Sequence, residues 1–157
     1  LSCHVCLLRP KSTGTVTLQS ADPQDDPVID PKFLSHPDDI KVLVKGYKKM
    51  MAIMNTAPIK KYIANCERPV NINDDRDIEQ AIREHADTVY HPVGTCKMGS
   101  DSHAVVDGRL RVHKMQNLRV VDASIMPTVV GCNTNAPTVM SGEKAAEMIL
   151  QDWQFVS

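Results

Sequence analysis

Residues 21–39 hold four prolines and six aspartates against a single lysine. Each proline fixes its own φ, withholds a backbone donor and pushes the residue before it into extended geometry. Helix and central strand are both unfavourable under that density, so the segment predicts an irregular surface connection. Its middle, with Val28, Ile29, Phe33 and Leu34, is too apolar for a flexible linker and predicts a strap packed on the body. Before the strap, residues 3–9 and 14–19 read as two strands around the basic turn Arg9-Pro10-Lys11-Ser12-Thr13.

After it the pattern turns helical. Ile40, Leu43, Val44, Tyr47, Met50, Met51 and Met54 recur at helical spacing, with lysines on the other face. Asp38 and Asp39 suit the positive end of that helix, and Lys48 and Lys49 its later turns. The methionines read as adaptable core. A second helix is expected from Asn73-Asp74-Asp75, burying Ile78, Ala81, Ile82, His85 and Val89. In the last third, Asp107-Gly108 between apolar stretches predicts a two-residue hairpin turn with both residues at positive φ. Residues 118–122 predict a short buried strand. Pro137 is expected to open a helix carrying Val139, Met140, Ala146, Ile149, Leu150 and Trp153.

Composition narrows the function classes. Eighteen basic residues against 19 acidic ones give a net charge of −1, which argues against binding nucleic acid or an anionic membrane. Aromatics at 4% leave little for base stacking. No apolar run approaches the roughly 18 residues of a spanning helix, so no transmembrane segment is expected. The five cysteines are odd in number and scattered, which is not a disulfide framework. Cys3-His4-Val5-Cys6 has the spacing of a zinc half-site, and His91, Cys96 and His103 could supply partners, but a second tight pair is missing. The expectation is no metal, with buried free thiols in a reducing compartment: the cytoplasm, with at most a peripheral place on the inner membrane. The chain starts at Leu1 in what reads as a strand in progress, so a piece cut from something longer is expected.

Two segments are richer in special residues than packing requires. In residues 90–99 (YHPVGTCKMG), Pro92 biases His91 toward extended backbone and presents its imidazole from a loop. Such a histidine can accept a proton near neutrality, or it can end a helix and cap a carbonyl; the segment alone leaves both open. Gly94 and Gly99 have the spacing of a phosphate loop, but Ser100 stands where lysine is needed and no strand leads in. The second segment runs from Asp122-Ala123-Ser124 to residues 129–138 (VVGCNTNAPT). Small residues at a strand end let backbone approach a ligand. Asn133, Thr134 and Asn135 precede a helix whose free N–H groups suit an anion, or a ring that becomes anionic. Helix capping by Asn135 is the plain alternative, and two asparagines around a small-residue loop favour a site over it.

The blocks HPVGTCKMG, VVDGRLRVH, NLRVVDASIMP and NTNAPTVMSGEKAAEMI, in that order, resemble the C-terminal region of the glucose–methanol–choline (GMC) flavin oxidoreductases, with the choline and aliphatic-alcohol dehydrogenases most similar. The N-terminal LLRPKSTGTVTLQSADPQDDPVIDPKFL resembles the start of the same region. The resemblance implies that His91 takes the hydroxyl proton of an alcohol while hydride passes to FAD. It makes Asn133 the second catalytic position, on the branch with Asn where other members carry His. It puts Asp122 and Ala123 at the turn approaching the FAD pyrophosphate, and Thr134 and Asn135 beside the pyrimidine ring. Cys132 departs from the pattern, which expects glycine or another small residue there. No G-x-G-x-x-G occurs, so the dinucleotide-binding βαβ unit is missing from this sequence.

The expected fold is therefore α+β. An antiparallel sheet with helices on one face forms a substrate domain over residues 1–103, including the HPVGT segment. A hairpin, strand and helix over residues 104–157 complete an FAD-binding domain. The partners implied are a small alcohol and the N-terminal FAD-binding half. The function implied is oxidation of choline or an aliphatic alcohol to the aldehyde. The rival reading is a binding or interaction domain that keeps the fold without catalysis. That truncation would leave apolar surface exposed on the last helix.

Overall fold

The computed structural model describes residues 2–66 and 68–154. The chain is α+β and forms two compact units, Leu1–Val89 and Tyr90–Ser157.

In the first unit, β1 (Thr15–Thr17) pairs antiparallel with β2 (Val28–Asp30), Val16 opposite Ile29. The partner of β1 was expected in residues 3–9, which form no strand; Cys3 and Cys6 are exposed thiols. The strap supplies the partner instead. Pro27 and Pro31 flank three residues that keep their N–H groups, so a short strand fits between them. Both strands are exposed throughout. A Cβ at Gly14 would run into the Asp30 carbonyl, so only glycine fits that crossing.

Helix α1 (Pro37–Met54) follows, with the His36 ring accepting from the Asp38 amide at 3.2 Å. Its Asp39 is buried at 2% exposure. The carboxylate accepts from the Lys11 amide (2.9 Å), the Ser12 amide (2.8 Å) and the Ser12 hydroxyl (2.6 Å), which docks the basic turn on the start of α1. After the short α2 (Ala57–Lys60), Asp74 caps α3 (Asp75–His85) by accepting from the Arg76 amide at 2.9 Å. Ile40, Val44 and Ile78 form the core, with Leu34, Tyr47, Val70 and Ile82 packed around it. The buried stripe of α3 stops at Ile82. His85 and Val89 are exposed, contrary to expectation, because α3 ends at His85 and Val89 lies beyond it.

The second unit contains no extended strand among its described residues. Single bridges join Met98 to Val106, Val106 to Val112 and Arg111 to Arg119. The buried strand expected at 118–122 is thus reduced to one bridge, and Leu118 is exposed. The hairpin exists, but its turn differs from the expected two-residue form. Neither Asp107 nor Gly108 is at positive φ; Leu110 is, at 63°. The Asp107 side chain accepts from the amides of Arg109 (2.8 Å) and Arg111 (3.0 Å), which fixes Asp107 as the first residue of a longer turn, closed by Leu110 N–H to Asp107 C=O at 2.9 Å. A turn followed by one left-handed residue is the next commonest way to close a hairpin.

A 3₁₀ turn (Ala123–Ile125) leads toward α4 (Asn135–Gln154), which starts two residues before Pro137. Val106, Leu110, Ile125, Met126 and Ala145 make the core. Asp152 near the end of α4 receives Arg109 at 2.6 Å and also Arg119, clamping the helix to the hairpin. Val139, Met140, Leu150 and Trp153 of α4 are exposed, as the sequence led us to expect. No helix among the described residues is long and apolar enough to cross a membrane.

Candidate functional site

His91 lies in an irregular stretch, half-buried, in the second unit. The segment that carries it is held by backbone bonds. The amides of Gly94 and Cys96 both donate to the Ser124 carbonyl (3.1 and 3.0 Å), and Met98 donates to the Ile125 carbonyl at 2.8 Å. Gly94 stands at φ 91°, which only glycine adopts without strain. The far side of this junction is organised by Asp122, whose carboxylate accepts from the amide (2.8 Å) and hydroxyl of Ser124. A side-chain cap thereby aims the Ser124 carbonyl at the histidine loop.

The second site segment folds onto the imidazole. Asn133 Nδ2 lies 3.2 Å from His91 Nε2, and Thr134 Oγ1 lies 2.9 Å from His91 Nδ1. Asn133 also works as the helix cap, its Oδ1 accepting from the Asn135 amide at 2.8 Å. Asn135, the plain capping alternative, is instead the first helical residue, and the side-chain oxygen on its amide is Asn133 Oδ1. Capping and site are thus one residue's two ends. With Oδ1 committed to the helix, the Nδ2 donor is the end that faces His91.

Of the residues singled out from sequence, His91, Asn133 and Thr134 share direct contacts. Asn135 joins them through Asn133, and Asp122 holds Ser124, whose carbonyl ties down the histidine loop at Gly94 and Cys96; Ala123 packs against the core and accepts from the Met126 amide. Thr134 is 7% exposed, while Asn133 and Asn135 are open. Sequence reasoning missed two parts: the Ser124 carbonyl, a backbone atom with no side-chain signal, and the hydroxyl of Thr134, a residue singled out for its backbone beside a flavin ring and not for a contact with His91. Cys132, where a small residue was expected, has φ 105°, the region that favours glycine. All five cysteines are free, and no cluster of three His, Cys, Asp or Glu able to hold a metal ion occurs among the described residues.

This arrangement offers an imidazole nitrogen and an amide donor at one edge, beside the N-terminus of a 20-residue helix. It can take a proton from a hydroxyl held there and favour negative charge nearby.

Comparison with known proteins agrees on the kind of chain this is. It is 49% identical over 149 residues to an alcohol dehydrogenase [acceptor] of Pseudomonas putida, a match covering 94% of this chain and 27% of that protein. It is 43% identical to an oxygen-dependent choline dehydrogenase of Klebsiella pneumoniae, with the same coverage. A formate oxidase of Aspergillus oryzae, solved in a study of FAD modification, superposes with a TM-score of 0.89 at 30% identity, covering 96% of this chain and 27% of that one. The chain spans about a quarter of the length of the curated relatives it matches. A family model described as GMC oxidoreductase matches residues 10–142, and the chain belongs to that family.

Proposed function

We propose that this chain is the catalytic C-terminal part of an FAD-dependent oxidoreductase that oxidises a primary alcohol, choline or an aliphatic alcohol, to the aldehyde. The observation that carries the reading is the contact of His91 Nε2 with Asn133 Nδ2 at 3.2 Å on an open edge of the unit. A hydroxyl entering there meets a proton acceptor and a hydrogen-bond donor together. The hydroxyl displaces the Asn133 amide from the one Nε2 lone pair, so that Nε2 takes its proton, Asn133 Nδ2 donates to its oxygen, and the carbinol carbon loses hydride as the C=O bond forms. Bound FAD would supply the two-electron acceptor for that hydride.

The residues fit such a group. Asn133 and Asn135 are exposed at the positive end of α4, where a ring gaining negative charge is favoured. Backbone at Thr134 and Asn135 would border the pyrimidine ring. The Asp122 carboxylate is engaged on Ser124, so the backbone at Asp122 and Ala123 would approach the pyrophosphate. In this reading residues 1–103 form a substrate domain and residues 104–157 return to the FAD domain. The main partner is a βαβ unit that cradles the phosphates, for which this sequence has no glycine motif. The 157 residues by themselves bind FAD weakly, since a helix terminus contributes only about 0.3–1 kcal/mol to anion binding. The five free cysteines suit the cytoplasm.

Stopped-flow flavin reduction in the flavin-loaded enzyme carrying this chain is the test. His91→Ala lowers the rate about 10²–10⁴-fold with little change in alcohol binding. Asn133→Ala lowers it less, because it removes a hydrogen bond and leaves the proton acceptor. The double variant is less than additive, since both groups touch one hydroxyl. A wild-type rate in His91→Ala overturns the assignment. Failure of every primary alcohol to reduce the flavin would leave the fold-only binding role.

A further inference from the structure

We infer that Thr134 is a positioning residue, one that sets which nitrogen of His91 carries the proton. This rests on the catalytic reading of His91, but the geometry behind it is independent of substrate. Asn133 Oδ1 accepts from the Asn135 amide at 2.8 Å, so the amide end of Asn133 that meets His91 is the Nδ2 donor, 3.2 Å from Nε2. A donor opposite Nε2 needs a lone pair there. The neutral ring must then carry its hydrogen on Nδ1, and the atom facing Nδ1 is Thr134 Oγ1 at 2.9 Å. That hydroxyl accepts the Nδ1–H bond.

Thr134 is itself held. It is 7% exposed, and its carbonyl accepts from the amide (3.0 Å) and hydroxyl (2.7 Å) of Thr138 in the first turn of α4. A neutral histidine side chain in water favours the opposite tautomer, with hydrogen on Nε2. Thr134 and Asn133 together reverse that preference and keep Nε2 unprotonated, its one lone pair held by the Asn133 amide until a substrate hydroxyl takes that place. The tautomer of a histidine base is commonly fixed by what its other nitrogen meets, and here a neutral hydroxyl does so instead of a carboxylate. The ring keeps its orientation without a fixed negative charge beside it.

The test reads the tautomer directly. Long-range ¹H–¹⁵N correlation of His91 in the full chain, at a pH where the ring is neutral, shows Nδ1 as the protonated nitrogen. Thr134→Val preserves shape and removes the acceptor; it moves His91 to a mixture dominated by Nε2–H. Thr134→Ser restores the original signature. In the flavin-loaded enzyme Thr134→Val slows flavin reduction about tenfold, the equivalent of one hydrogen bond of about 1.4 kcal/mol, and Thr134→Ser recovers most of it. An unchanged His91 signature in Thr134→Val, or no recovery in Thr134→Ser, overturns the inference. If His91→Ala reduces flavin at the wild-type rate while Thr134→Val still shifts the tautomer, the catalytic reading fails and the clamp stands.

Discussion

The two units bury their apolar residues by different means. In the first, Ile40 and Val44 of α1 meet Ile78 of α3, and each helix satisfies its own backbone. In the second, Val106, Leu110, Ile125 and Met126 lie on segments with only single bridges and one 3₁₀ turn. Backbone pairing around them runs between segments: Val105 N–H to Lys97, His113 to Val105, Val112 to Leu118, Val120 to Leu110 and Met98 to Ile125. Six of the eight described residues at positive φ, among them Gly94, Leu110 and Cys132, fall in this unit. A helix holds its shape from within, whereas crossed segments hold one another. The candidate site lies in the crossed unit. A shape that never repeats can set a histidine, an amide and a hydroxyl at hydrogen-bonding distances from one another.

The largest expected effects test this contrast. Ile78→Ala and Ile125→Ala each delete a fully buried side chain and each destabilise by about 2–5 kcal/mol in denaturant titration. Hydrogen exchange separates them. In Ile78→Ala the amides inside α1 and α3 keep graded protection, because their acceptors are intrahelical. In Ile125→Ala the amides of Gly94, Cys96 and Met98 lose protection together, because their acceptors are the carbonyls of Ser124 and Ile125. Graded loss at those three would mean that the crossed segments are not mutually supporting.

A smaller effect tests an exception in the first unit. Residues 11–12 are irregular and held by one buried carboxylate. Burial raises the Asp39 pKa, but hydrogen bonds from the Ser12 hydroxyl and the Lys11 and Ser12 amides outweigh it and hold the carboxyl below its ordinary range. Asp39→Ala therefore strands two amides and destabilises by about 1.5–3 kcal/mol. The sign with pH follows from the lowered value. The contribution is complete above the unfolded carboxyl pKa of about 3.9 and is lost as pH falls through the lower folded one. Wild type should lose stability over that acid window faster than Asp39→Ala; parallel curves would remove Asp39 as the anchor.

The contrast also explains what the sequence made legible. The α1 helix with Ile40, Val44 and Tyr47 on its core side, and the start of α3 near Asp74, were readable because helical structure repeats and its ends use few residue types; the methionines at 50, 51 and 54, expected as core, are half-buried and lie outside it. His91 and Asn133 stood out by chemistry. The pairing of β1 with β2 was hidden because prolines at 27 and 31 argue against a strand without excluding three residues between them. The Thr134 hydroxyl and the Ser124 carbonyl were hidden because their roles arise from crossing segments, which leave no period in the chain.

Backbone strain supplies a gentler test of the crossed unit. Cys132 holds φ 105° one residue before Asn133, a conformation that a side chain with a Cβ adopts at a cost of about 1 kcal/mol or more. Cys132→Gly should relieve it, offset in part by the greater freedom of glycine when unfolded. A net gain of about 0.5–1 kcal/mol is expected in thermal unfolding, with the His91–Asn133 contact intact. A loss would mean that the thiol contributes packing the relief does not replace.

The smallest effect concerns the hairpin, where the residue identities run the other way. Gly108 occupies the turn without a positive φ, and a Cβ there meets nothing within 4 Å, so neither strain nor crowding requires glycine. The left-handed position has moved to Leu110, which is 5% exposed and cannot give up its side chain without opening the core. What fixes the turn is Asp107, accepting from Arg109 and Arg111. Gly108→Ala should then be neutral or stabilise by about 0.4–1 kcal/mol, through the unfolded chain alone. A two-residue turn with Gly108 at positive φ would instead make alanine destabilising, so the sign of the change in melting temperature decides between the two turns. Asp107→Ala on the same background should erase the gain and go below wild type, because the amides of residues 109 and 111 then lose the acceptor that shapes the loop.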